Sequence, residues 1–73
     1  MSMSYKIRIK GHLDDRWADW FGDLKLTQQP DGTTVLSGPV VDQAALYGVL
    51  TKIHNLGMPL LELYQLADEA QVN

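Results

Sequence analysis

From Tyr5 to Leu13 apolar and polar residues alternate. Tyr5, Ile7, Ile9 and Leu13 fall on one side, and Lys6, Arg8, Lys10 and His12 on the other, with Gly11 marking a bend near the end. A period of two predicts a strand with one buried and one wet face. The period then changes. Leu46, Val49, Leu50, Ile53 and Leu56 recur at steps of three and four, widened by Ala45, which predicts an amphipathic helix over 42–56. Asp42 is its N-cap, placed to accept from backbone N–H groups two or three residues on. Val41 and Leu46 have the spacing of a hydrophobic staple. Gly57 is placed for a left-handed C-terminal cap, and Pro59 forbids continuation.

The remaining segments complete these two. Asp14–Gly22 predicts a two-turn helix with acids at its start. Trp17, Trp20 and Phe21 at i, i+3 and i+4 would share one α-helical face and dock on the sheet, because so short a helix is not stable alone. Asp23–Gln29 predicts a strand with Leu24 and Leu26 inward, and Gln29-Pro30-Asp31-Gly32 a type I turn. Thr33–Gly38 is the returning strand. Its adjacent Val35 and Leu36 suit a central position. Leu60–Leu66 is the last strand, with Leu61 and Leu63 on one face and Glu62 and Tyr64 on the other.

The order strand, short helix, strand, strand, long helix, strand predicts an α+β protein. The expected form is a small ferredoxin-like βαββαβ two-layer sandwich with a very short first helix. The alternative is a βββαβ meander, should Leu13–Leu24 prove too short for a crossover. The chain is read as one domain over 1–73, with an ordered core over 4–66 and a polar tail over 67–73.

Composition narrows the function. A domain of 73 residues buries only about 60% of its unfolded surface, so oligomerisation or very regular packing is expected to help it. There is no cysteine, hence neither a disulfide framework nor a thiolate metal site. The N-terminus lacks the apolar run of a signal peptide, and no stretch is long enough for a membrane span, so the expected location is the cytoplasm. A net charge of −3 disfavours a general nucleic-acid binder.

Candidate chemistry is sparse. His12 and His54 lie on different elements, with no carboxylate at a metal-ligand spacing. Asp14, Asp15, Asp19 and Asp23 are acidic but lack the alternation and internal glycine of a calcium loop. No nucleophile–base order and no phosphate-cradling glycine loop is present, so the chain is read as non-enzymatic, with no cofactor and no metal. Lys6, Arg8 and Lys10 give one strand a basic face with Tyr64 as its only outward aromatic, short of the aromatic set of an RNA-binding sheet.

The interaction candidates are Tyr47, Gly48 and Thr51 on the outer helix face, the aromatic pair Trp17 and Trp20, and Gln43 beside the cap. Gly48 is either a tolerated surface glycine or a point of close approach by a second subunit. Gln43 is expected to hydrogen-bond a loop backbone. The functional expectation is a protein-interaction or regulatory module that contacts a protein partner or itself as a homodimer, through its wet sheet face or outer helix face. A small-molecule-binding regulatory domain using Asp42, Gln43 and the tryptophans is the alternative.

The run Gly38-Pro39-Val40-Val41-Asp42-Gln43-Ala44-Ala45-Leu46, with Leu56-Gly57-Met58-Pro59-Leu60-Leu61 after it, resembles a signature of short uncharacterised bacterial proteins of about this length. Gly11-His12-Leu13 and Trp20-Phe21 extend the likeness. The resemblance implies a shared fold and no activity.

Overall fold

A computed structural model describes residues 3–22 and 24–66. Four strands, β1 (Met3–Lys10), β2 (Lys25–Gln28), β3 (Thr33–Val40) and β4 (Leu60–Leu66), form one sheet in the order β2-β3-β1-β4. Every neighbouring pair is antiparallel. A 3-10 helix (Asp15–Phe21) joins β1 to β2, and helix α1 (Gln43–Asn55) joins β3 to β4. The protein is thus α+β, a four-stranded antiparallel sheet with one main helix. β1 pairs with β3 and β4 rather than with β2, so the first three strands do not form a meander.

The core obeys the alternation. Tyr5, Ile7 and Ile9 are buried on the helix side of β1, opposite Leu36 and Thr34 of β3. Leu46, Val49 and Ile53 of α1 close over them, while Leu50 and Leu56 are half-buried at the margin. Asp42 accepts from the Ala45 N–H (2.8 Å) and caps the helix. At the far end Gly57 takes φ 74°. Its N–H donates to the His54 carbonyl (2.9 Å) and that of Met58 to the Ile53 carbonyl (3.4 Å), the paired bonds of a Schellman stop. Met58 and Ile53 pack in the same cluster. No staple forms, because Val41 is 70% exposed while Leu46 is buried.

β3 runs two residues beyond its expected end at Gly38. β2 has only four residues and pairs with Thr34–Ser37, so Pro39 meets a neighbour only in β1, opposite Ser4. A missing N–H is tolerated where a strand has one open side. β1 stops at Lys10, short of the expected Leu13. Gly11, at φ 106°, turns the chain, and a Cβ there would lie 3.0 Å from the Met58 Cε.

The first connection differs most from expectation. Asp14 caps it by accepting from the Arg16 N–H (3.2 Å), but residues 15–21 wind as a 3-10 helix. With three residues per turn, Trp17 and Trp20 align while Phe21 is rotated away from them. Phe21 is therefore buried at 4%, whereas each tryptophan is 37% exposed. The aromatic trio does not close the core as a unit. A single α-helix covers the sheet among the described residues, in place of two. The expected tail over 67–73 and Asp23 lie outside the described residues. No helix among them is long and apolar enough to cross a membrane.

Candidate functional site: the open sheet face and the β4 edge

Helix α1 leaves two surfaces of the sheet uncovered. The first is the face opposite the helix. Cross-strand register places Lys25, Ser37, Lys6 and Tyr64 in one row across all four strands. The next row is Thr27, Val35, Arg8 and Glu62. Residues directly opposite one another share a face, so the period of two in each strand sets this surface. Val35 is buried here although it faces away from the core, shielded by its neighbours.

Arg8 is the hub of this face. Its Nη2 donates to Asp31 Oδ2 in the β2–β3 turn, and its Nη1 lies 3.6 Å from Glu62 Oε1. Its Nε is buried and has no partner among the described residues. Asp31 also accepts from the Thr33 hydroxyl (2.6 Å) and N–H (3.1 Å). Those bonds from Thr33 come first in holding the Asp31 carboxyl below its ordinary value of 3.8, and the nearby Arg8 charge adds to them. Lys6 Nζ sits over the Tyr64 ring, 5.9 Å from its centroid. A hollow of about 310 Å³ opens between these side chains, lined among others by Lys6, Arg8, Thr27, Ser37, Glu62 and Tyr64.

The second surface is β4 itself. It is an edge strand, and α1 packs toward β3 rather than over it. Leu61 is 48% and Leu63 38% exposed, and Leu60 and Tyr64 are exposed beside them. Leu63 lies opposite buried Ile7, so the strand continues the core side of the sheet into solvent. The register shifts between Arg8 and Ile9, which pair with Glu62 and Leu60, so Leu61 is an extra, bulged residue. Seven residues without lysine or proline make an edge open to further pairing. The opposite edge, β2, has four residues and begins with Lys25.

The residues singled out in the sequence are scattered. Tyr47, Gly48 and Thr51 are exposed on the outside of α1. The Thr51 hydroxyl donates to the Tyr47 carbonyl (2.9 Å). An added Cβ at Gly48 would meet nothing within 4 Å. Among the described residues Gln43 binds no loop backbone; its Oε1 accepts from the Tyr47 hydroxyl (3.4 Å) one turn along. Trp17 and Trp20 pack together with centroids 5.0 Å apart. Lys52 of α1 lies over Trp20 and donates to its carbonyl (2.6 Å).

A smaller hollow of about 190 Å³ runs from Phe21 and Leu24 to Val41 and Val49, and none of Trp17, Trp20, Asp42 or Gln43 lines it. That hollow does not bring the tryptophans together with Asp42 and Gln43. His12 Nε2 donates to the Gln29 carbonyl (2.9 Å), and His54 is exposed on α1. Among the described residues no group of three or more His, Asp or Glu is arranged to hold a metal.

Two surface features escaped sequence reasoning. Lys25 joins the basic row only through the sheet register, and the exposure of β4 depends on where the helix lies.

The fold and these surfaces define an α+β domain with an open sheet face and, among the described residues, an edge strand with no neighbour on its outer side. The chain belongs to the family described as Domain of unknown function (DUF8691), which it matches over residues 4–64. Neither a curated protein nor a solved structure matches it.

Proposed function

We propose that the protein is a small non-catalytic interaction module that works as a homodimer, with a second copy docked edge to edge on β4. The observation that carries this reading is the exposure of Leu61 and Leu63 on an edge strand whose outer side has no neighbour among the described residues. A two-fold axis at Leu63 makes the strand its own antiparallel partner. Leu63 then meets its copy, Glu62 faces Tyr64, Leu61 faces Gln65 and Leu60 faces Leu66. No like charges are opposed, and Glu62, the only charged residue of the strand, is already balanced by Arg8. Pairing would satisfy a row of edge N–H and C=O groups and cover the leucines, help that suits a domain of this size.

β3 and β4 flank β1 and are each antiparallel to it, so they run in the same direction on either side of it. That split β3–α1–β4 unit supports a ferredoxin-like reading in which a 3-10 turn replaces the first helix.

Sedimentation velocity over a concentration series tests the dimer. Wild type is expected to sediment as a dimer at the upper end of the series, and Leu61→Lys, which places a charge on the edge, as a monomer throughout. A monomeric wild type at every concentration overturns the reading.

A further inference from the structure

The open face carries a feature that edge pairing does not use. Four of the chain's six lysines and arginines, Lys6, Arg8, Lys10 and Lys25, lie on it, although the chain as a whole is acidic. The acids there, Asp31 and Glu62, are both spent on Arg8. Among the described residues neither Lys6 nor Lys25 has a carboxylate within ion-pair distance. They flank Ser37 from the two neighbouring strands. Adjacent strands are about 4.8 Å apart, so both flexible ammonium groups reach an anion seated over the Ser37 hydroxyl. Tyr64 closes the same row with an exposed ring. The 310 Å³ hollow is lined by Lys6, Ser37 and Tyr64 together with Arg8 and Glu62, and Lys25 stands in the same row just outside that lining.

We propose that this row binds a free mononucleotide, with its phosphate at the rim between Lys6, Lys25 and the Ser37 hydroxyl and its base in the hollow against Tyr64. The charge of the row is complementary to a phosphate, and ammonium–phosphate contacts with a neutral hydroxyl donor are a common solution for it. Tyr64 supplies the planar surface. A long single strand fits less well. It needs successive stacking platforms, whereas this face has one aromatic among the described residues. The proposal does not depend on edge pairing, since every group named comes from one chain.

Amide chemical-shift titrations test it, with adenosine, guanosine, cytidine and uridine 5′-monophosphates, inorganic phosphate and a ten-residue oligouridylate as probes. At least one nucleotide is expected to give saturable shifts at Lys6, Lys25, Ser37 and Tyr64. Lys6→Gln combined with Lys25→Gln is expected to weaken that binding about tenfold or more, as loss of charge-assisted contacts does. Tyr64→Leu is expected to weaken the nucleotide and leave inorganic phosphate unchanged. The variants' remaining amide spectrum reports that they fold. Absence of shifts with every nucleotide overturns the proposal. So does inorganic phosphate binding as tightly as the nucleotides, or the oligomer binding more than about tenfold tighter than any of them. A monomeric wild type that still binds a nucleotide at this face would remove the dimer and leave the site standing.

Discussion

One hydroxyl ties the exit of β1 to the sheet. Thr34 is fully buried, accepts from the Leu13 N–H (2.9 Å) and donates to the Gly11 carbonyl (2.7 Å). Gln28 Nε2 donates to the Leu13 carbonyl (2.9 Å) from the neighbouring strand. Thr34→Val keeps the shape and strips both partners of Thr34, so it is expected to lower stability by about 1–3 kcal/mol, read from urea unfolding. Asp31 gives a pH-dependent counterpart. Its carboxyl titrates lower in the folded protein, so its stabilising effect is full above the unfolded value near 3.8 and is lost as pH falls through the lower folded value. Wild type is expected to melt above Asp31→Asn at neutral pH. The gap should close on acidification through that window, and a gap that holds at strongly acidic pH would contradict it. Neither residue stands out in the sequence. A strand threonine and a turn aspartate are ordinary until the register shows what lies beside them.

At the scale of elements, the legible features are the local ones. Helix α1 has its cap, apolar stripe and glycine stop within one continuous stretch, and these set its bounds. Asp42→Ala is accordingly expected to cost about 1 kcal/mol, and Ile53→Ala, which opens a cavity under α1, about 2–5 kcal/mol. Gly48 separates two surfaces. With nothing near its Cβ position in one chain, Gly48→Ala is expected to raise stability by up to about 1 kcal/mol through helix propensity and to leave dimerisation unchanged. Weakened self-association would move the contact to the outer face of α1. Residues 15–21 depart from the expected α-helix because so short a segment does not distinguish a period of 3.0 from one of 3.6. That difference exposes Trp17 and Trp20 while burying Phe21. The alternation of β4 tells which residues share a face. It does not tell whether the helix reaches that face, because coverage depends on how far α1 extends across the sheet.

For the whole molecule, the sheet has two unlike edges and two unlike faces. β2 is short and begins with a lysine, while β4 is longer and lined with leucines. One face packs under α1 and the other gathers most of the basic residues. A second copy on β4 would extend both faces and bring the two Tyr64 residues toward each other across the joint, beside the hollows. The most direct test is an isotope-filtered nuclear Overhauser experiment on a mixture of labelled and unlabelled chains. Antiparallel pairing at Leu63 predicts intermolecular contacts between Glu62 of one copy and Tyr64 of the other, and between the two Leu63 side chains. A filtered spectrum without contacts from β4, recorded where sedimentation shows a dimer, would contradict the pairing and place the interface elsewhere.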